Sequence, residues 1–175
     1  GGPQALQAIL QSMPAGLQAA IVVVQHMDMQ FTGGLATWLN GQCGLPVRVL
    51  KEGDRPVPGQ VLIAATNHHL IMHADSTFGY TVDPKDNYYH PSVDVFFNSL
   101  VRNWRNRCIG VILTGMGRDG AAGLLSLRRQ GHHTIAQDRY SSVVFGMPKA
   151  AIELNAALEI LPVNQIGNKI INLLA

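Results

Sequence analysis

The stretch Ile109–Gly123 constrains the fold more than any other part of the chain. It begins with an apolar, β-branched run, Ile-Gly-Val-Ile-Leu, which is typical of a strand buried on both faces of a parallel sheet. Glycines at 115, 117 and 120 then permit a tight turn, and a helix is predicted over Ala121–Gln130. Asp119 therefore stands at a strand-to-helix corner, where reacting groups collect in open α/β sheets, although a carboxylate there can also serve only to cap the helix.

Strands and helices alternate along the rest of the chain. Short apolar runs predict strands, and apolar residues three and four positions apart predict amphipathic helices. The predicted strands span Ile21–Val24, Val47–Leu50, Val61–Ala65, Thr134–Gln137 and Leu158–Leu161, and the other predicted helices begin near Pro3, Phe31, Ser92, Pro148 and Gln165. A β-hairpin is predicted from His69–Ala74 and Phe78–Asp83. The pattern favours an α/β fold with three layers, built on a doubly wound, mostly parallel sheet with the antiparallel hairpin at its edge.

Composition and charge exclude several classes of protein. The 175 residues include 13 basic and 11 acidic side chains spread along the chain, so there is no basic patch of the kind that binds nucleic acid. No apolar run approaches the roughly 20 residues needed to cross a bilayer. Cys43 and Cys108 lie far apart and match no metal spacing, which predicts reduced thiols in a cytoplasmic protein.

His26 and Asp119 each follow a predicted buried strand at its carboxyl end. In a parallel sheet those ends share one edge, so the two side chains can meet although 93 positions separate them. Imidazole can accept a proton near neutral pH, and a carboxylate can fix its tautomer. A nucleophile is still needed, and Ser141-Ser142, in a loop, is one candidate. A serine in a turn directly ahead of Gly1 would be better placed, between a strand and a glycine-led helix.

Six separated motifs resemble one family. They are Gly1-Gly2-Pro3-Gln4-Ala5-Leu6, Val24-Gln25-His26-Met27, Phe31-Thr32, His90-Pro91-Ser92-Val93-Asp94, Leu113-Thr114-Gly115-Met116-Gly117-Arg118-Asp119-Gly120-Ala121 and Val144-Phe145-Gly146-Met147-Pro148. Together, and in this order, they resemble the catalytic domain of CheB-type protein-glutamate methylesterases from Gly1 to about Ile170. Asp28-Met29 departs from the family pattern, which more often has proline and a small residue there.

The resemblance implies a Ser-His-Asp triad in which His26 is the histidine and Asp119 the aspartate, with the serine ahead of Gly1. It implies hydrolysis of glutamate methyl esters on chemoreceptor signalling helices, possible deamidation of receptor glutamines, and no metal or organic cofactor. Backbone N–H groups near Met116, and the helix start at Gly1 and Gly2, are candidate oxyanion or groove elements. Neither His26 nor Asp119 is expected to be a packing residue.

The resemblance also bears on the limits of the chain. Residues 1–175 are expected to form a single catalytic domain whose first strand and nucleophile turn lie upstream of residue 1, and a receiver domain commonly precedes this domain in the family. The alternative to an enzyme is a catalytically silent module of the same fold that docks on receptor or signalling partners. A serine two places before Gly1 would favour the enzyme.

Three further histidines invite other interpretations. His68, His69 and His73 could suggest zinc, but no fourth ligand is evident, and the resemblance instead puts His69 at the border of the groove. Ser92 is predicted to begin a helix, while a substrate-facing role for His90 or Ser92 remains open.

Overall fold

The computed structural model describes residues 1–175, which form six helices and eight strands. In chain order these are α1 (Gly2–Gln11), β1 (Ile21–Val23), α2 (Met29–Asn40), β2 (Val47–Val49), β3 (Val61–Ile63), β4 (His69–Met72), β5 (Phe78–Thr81), α3 (Val93–Asn103), β6 (Ile109–Ile112), α4 (Ala121–Arg129), β7 (His133–Gln137), α5 (Met147–Glu153), β8 (Glu159–Leu161) and α6 (Val163–Leu174). None of the helices combines the length and apolar character that crossing a membrane requires.

Six of the strands are parallel and occupy the middle layer. β1, β3 and β2 form one ladder and β6, β7 and β8 another, and the two ladders are not hydrogen-bonded to each other. Successive residues of β3 point to opposite sides: Leu62 packs with α3, α4 and α5, whereas Val61 and Ile63 pack with α1, α2 and α6. The α/β class and its three layers are therefore confirmed, with the parallel strands divided between two ladders.

The predicted hairpin forms, but it is not an edge of the parallel sheet. β4 and β5 pair only with each other, antiparallel, with Leu70 opposite Tyr80. The hydroxyl of Tyr80 donates to the carbonyl of Leu50 and accepts from the N–H of Ala65, and the N–H of Met72 donates to Ser99 of α3. Backbone hydrogen bonds also join β5 to the loop after β2, since the N–H of Gly53 donates to the carbonyl of Phe78 and the N–H of Phe78 donates to the carbonyl of Asp54. The hairpin is thus attached to the rest of the fold without joining either parallel ladder.

The buried face of α2 differs from the prediction. The spacing of Phe31, Leu35, Trp38 and Leu39 predicts an amphipathic helix with these residues on its apolar face, but Phe31 and Trp38 are 58% and 37% exposed. Burial follows positions 32, 35, 36 and 39, which is the spacing of a single helix face. Phe31 and Trp38 precede buried positions by one residue, which rotates each of them about 100° away from the core.

Candidate active site

His26 and Asp119 meet at the carboxyl ends of the parallel strands. His26 lies in the loop that follows β1, and Asp119 lies in the turn between β6 and α4. The Nε2 atom of His26 is 2.6 Å from Oδ2 of Asp119, and the two side chains are 23% and 2% exposed. The sheet thus brings together the two side chains that the sequence placed at one edge.

Asp119 does not cap the helix that follows it, which corrects the simpler of the two interpretations. α4 begins at Gly120 without a side-chain cap. The Asp119 carboxylate instead accepts from the hydroxyl of Ser92 (2.9 Å) and from the N–H groups of Val93 (2.6 Å) and Asp94 (3.1 Å), at the start of α3. With His26 it has four donors. Asp119 is therefore also a structural residue that joins two helices, contrary to the expectation that it does not contribute to packing.

The same contacts decide the charge of this carboxylate. Burial alone would raise the pKa of Asp119, but the hydrogen bonds from His26, from the N–H groups of Val93 and Asp94 and from Ser92 outweigh burial and hold the pKa below its ordinary value. An ionised carboxylate can only accept, so Nε2 of His26 carries the proton in this hydrogen bond. The remaining ring nitrogen, Nδ1, then has a lone pair that can take a proton.

Asp94 completes a reciprocal pairing of α3 and α4. Its carboxylate accepts from the N–H of Gly123 in α4 at 2.7 Å, while its own N–H donates to Asp119. Burial raises the pKa of Asp94, unlike that of Asp119. The start of α3 thus binds the carboxylate of Asp119, and the start of α4 binds the carboxylate of Asp94. These two contacts fix the position of the Asp119 turn.

The glycine turn beside the pair is open to solvent. Gly117 and Gly120 have φ of 93° and 95°, a backbone conformation that favours glycine. The carbonyl of Gly115 accepts from the N–H groups of Gly146 and Met147, which anchors the turn, and Met116 is 78% exposed. Neither Met116 nor Gly117 donates its N–H within the chain. These two N–H groups are therefore free to bind an external oxygen.

A cleft of about 270 Å³ lies against His26. Its lining comprises His26, Met27, Asp28, Asn67, Tyr88, Tyr89, His90 and Pro91. The ring of Tyr89 stacks on the imidazole of His26, with centroids 4.6 Å apart and planes 11° apart. Sequence reasoning missed Asn67, Tyr88 and Tyr89. The available signal was the aromatic loop directly before the Pro91-Ser92 helix start.

His69 does not border this cleft, contrary to the expectation. It is completely buried, its Nδ1 accepts from the N–H of Ser92 at 3.1 Å, and its Nε2 is 3.0 Å from the carbonyl of Pro84. Because Nδ1 accepts, Nε2 is the donor and the ring is neutral. His69 therefore holds both ends of the loop that carries Tyr89.

The remaining candidates have structural roles or lie elsewhere. Ser92 is buried and caps α3, so it does not face a substrate. The Ser141 hydroxyl donates to Asp138 and accepts from Gln137 and Val163, and that of Ser142 donates to the Asp138 carbonyl. Neither serine hydrogen-bonds to His26. No group of three His, Cys, Asp or Glu side chains is placed to hold a metal ion.

The start of α1 lies beside the His26 loop. The helix begins at Gly2 without a side-chain cap, and a Cβ added at Gly2 would be 2.9 Å from the side-chain amide of Gln25, the residue before His26. Only glycine allows this approach without a shift of Gln25. The first turn of α1 therefore lies beside the segment that carries His26.

Comparison with known proteins decides the family. The CheB methylesterase family matches residues 1–170. The chain belongs to the CheB methylesterase family. Its similarity to the family extends over both ladders, the hairpin and the site, so the resemblance seen in the six motifs is confirmed over nearly the whole chain.

Relatives of this CheB-family chain carry informative names. A "protein-glutamate methylesterase/protein-glutamine glutaminase 1" of Bordetella avium is 52% identical over 97% of this chain and 50% of its own length. A "protein-glutamate methylesterase/protein-glutamine glutaminase 2" of Burkholderia orbicola is 56% identical over 97% of this chain and 51% of its own length. The chain thus spans about half the length of the curated relatives it matches.

A crystal structure agrees with the fold of this CheB-family chain. The Thermotoga maritima CheB methylesterase catalytic domain superposes with a TM-score of 0.94 and 38% sequence identity, covering 99% of this chain and 93% of that domain.

Proposed function

We propose that this chain is the catalytic part of a protein-glutamate methylesterase, which hydrolyses methyl esters of glutamate side chains on chemoreceptors and deamidates receptor glutamines. The observation that carries the proposal is the Asp119 carboxylate, buried, ionised and 2.6 Å from Nε2 of His26. The names of the relatives supply the substrate class.

His26 is the general base in this proposal. The ionised carboxylate of Asp119 accepts a hydrogen bond from Nε2–H of His26, so Nδ1 is the nitrogen that takes a proton from the nucleophile, and the carboxylate fixes both the tautomer and the ring orientation. When Nδ1 is protonated, the ionised carboxylate stabilises the imidazolium.

The nucleophile in this proposal is the serine that the family resemblance places ahead of Gly1. Its oxygen attacks the ester carbonyl while its proton passes to His26, and His26 then protonates the departing methoxide, which leaves as methanol. Water, deprotonated by His26, hydrolyses the resulting acyl-enzyme to the free glutamate carboxylate and regenerates the serine. The same sequence on a glutamine side chain releases ammonia. Support for this placement comes from Gly2, which packs against Gln25 beside the base.

The oxyanion of each tetrahedral intermediate would be bound by backbone N–H groups. Those of Met116 and Gly117 donate to nothing within the chain and lie in the turn that carries Asp119. The first turn of α1, at Gly1 and Gly2 and beside Gln25, is a second candidate source of N–H groups. No step of this reaction requires a metal or organic cofactor.

Substrate and regulation follow the same proposal. The signalling helices of methyl-accepting chemoreceptors are the substrate, and the chain acts in the cytoplasm as one catalytic domain. A receiver domain preceding it would regulate access to the cleft, and the relatives, about twice the length they share with this chain, accommodate such a domain.

Methanol release from methylated receptor tests the proposal. The full-length protein should release methanol, the His26→Ala variant should release it about 10³-fold more slowly or not at all, and the His73→Ala variant should match the wild type, since His73 lies on the distant hairpin beside Glu52. Receptor binding without methanol release by a folded wild-type protein would refute the enzyme and leave a docking module.

A further inference from the structure

The aromatic ring of Tyr89 covers one face of His26. The centroids are 4.6 Å apart and the planes differ by 11°, so the two rings are nearly parallel over their whole contact. The neighbouring Tyr88 meets Tyr89 edge-on and is itself 89% exposed. Of the two adjacent tyrosines, only Tyr89 restricts the imidazole.

The hydroxyl end of Tyr89 reaches the glycine turn. A Cβ added at Gly117 would overlap the Tyr89 Oη, so a glycine at this position leaves the space that the phenol occupies. Tyr89 therefore contacts both the imidazole of His26 and the backbone whose free N–H groups are at Met116 and Gly117.

The loop that carries Tyr89 is anchored from inside the protein. Buried His69 binds the Pro84 carbonyl and the Ser92 N–H, and the ring of His90 stacks on His69 with centroids 4.8 Å apart. The N–H of Tyr89 also donates to Asn87 at 2.9 Å. Both ends of the loop are fixed by groups other than His26. The position of Tyr89 therefore does not depend on His26, and Tyr89 can restrict the imidazole.

We propose that Tyr89 is a positioning residue that holds the imidazole of His26 edge-on to Asp119 and sets its distance from the Gly115–Gly117 turn. The inference rests on the proposed function in one respect, which is that His26 acts as the base. Asp119 constrains one edge of the ring through a single hydrogen bond, about which the ring can still tilt. A parallel aromatic ring removes that tilt.

Nitrogen-15 NMR of histidine-labelled full-length protein tests the positioning without any substrate. Wild type and Tyr89→Phe should show His26 as one sharp species protonated at Nε2. In Tyr89→Leu the ring signals should broaden and the preference for that tautomer should fall by roughly two- to tenfold, the range expected for loss of an aromatic pair. Tyr140→Leu is the matched control and should resemble the wild type, because Tyr140 is 96% exposed and does not line the cleft.

Kinetics provide the second readout. Tyr89→Leu should lower kcat for methyl-ester hydrolysis by roughly two- to tenfold with little change in KM, and Tyr89→Phe should restore it. An unchanged His26 spectrum in folded Tyr89→Leu would overturn the positioning role, whatever the activity. A changed spectrum in a protein without esterase activity would uphold the positioning and refute the proposed function instead.

A second perturbation approaches the ring from the opposite side. In Gly117→Ala the new Cβ would displace the Tyr89 hydroxyl and so tilt the ring against His26. The strain of alanine at a φ of 93° is common to the wild-type and Tyr89→Phe backgrounds and cancels in the double-mutant cycle. The His26 spectrum should therefore change more in the wild-type background, and equal changes in both would overturn the proposal.

Discussion

Replacement of Asp119 by asparagine should damage the catalytic site and the fold together. The asparagine oxygen can keep the two hydrogen bonds from Ser92 and Asp94, but its NH₂ group then faces the N–H of Val93 and the ring of His26. His26 can accept from that NH₂ only by moving its own proton to Nδ1. The nitrogen that should act as base is then protonated.

The magnitudes follow from the same four contacts. The wrong tautomer of His26 should lower kcat by about 10³- to 10⁴-fold. The N–H of Val93 loses its acceptor, at about 1–3 kcal/mol, and the hydrogen bonds from Ser92 and Asp94 lose the benefit of a charged acceptor, at about 1 kcal/mol for the two. The free energy of unfolding should therefore fall by about 2–4 kcal/mol.

The stability loss should also depend on pH. Because the folded-state pKa of Asp119 is lowered, its contribution to stability is fully present above the ordinary carboxyl pKa of about 4 and is lost as pH falls through the folded value. The difference between wild type and Asp119→Asn should be constant from about pH 5 to 8 and shrink below about pH 4.

Urea unfolding across pH and methanol release at pH 7 are the assays. Asp54→Asn is the matched control, because Asp54 also accepts from a backbone N–H but lies beside Arg48, away from the cleft. The reasoning is refuted if Asp119→Asn keeps wild-type stability at neutral pH or more than one tenth of wild-type turnover.

Three other substitutions or treatments have defined outcomes. His26→Ala should lower the free energy of unfolding by about 1–3 kcal/mol, since it removes a hydrogen bond to the ionised Asp119 carboxylate and the stacked contact with Tyr89; an unchanged free energy in urea unfolding would show that neither contact stabilises the fold. Ser92→Ala removes a donor to Asp119 and the cap of α3, so the free energy of unfolding should fall by about 1–2 kcal/mol and turnover should fall roughly three- to tenfold. The control Ser126→Ala, at a partly exposed position in the middle of α4, should change neither. Burial raises the pKa of Cys108 to about 11, so iodoacetamide should label it at pH 8 at least about 100-fold more slowly in the native protein than in urea, and equal rates would show that this thiol is accessible.

The meeting of His26 and Asp119 could be predicted because it depends only on topology. Both residues follow buried apolar strands, and parallel strands present their carboxyl ends at one edge. The apolar runs that predict those strands are local features of the sequence. The meeting of His26 and Asp119 therefore follows without knowledge of side-chain packing.

The contacts around the pair could not be predicted in the same way. Asp119 was placed next to α4 in the chain, yet it binds the start of α3, because the tertiary packing of α3 on α4 brings that helix start closer. Tyr89 lies 63 positions from His26, and no local pattern distinguishes it from the exposed Tyr88. The buried state of His69 likewise depends on the loop that folds over it.

The central claim is that His26, held by Asp119, activates an alcohol nucleophile at this edge of the sheet. A fluorophosphonate probe, which reacts covalently with base-activated serines, tests it most directly in the full-length protein. The probe should label one serine ahead of Gly1, and labelling should disappear in His26→Ala. Labelling that persists in His26→Ala, or that falls on Ser141 or Ser142, would contradict the claim.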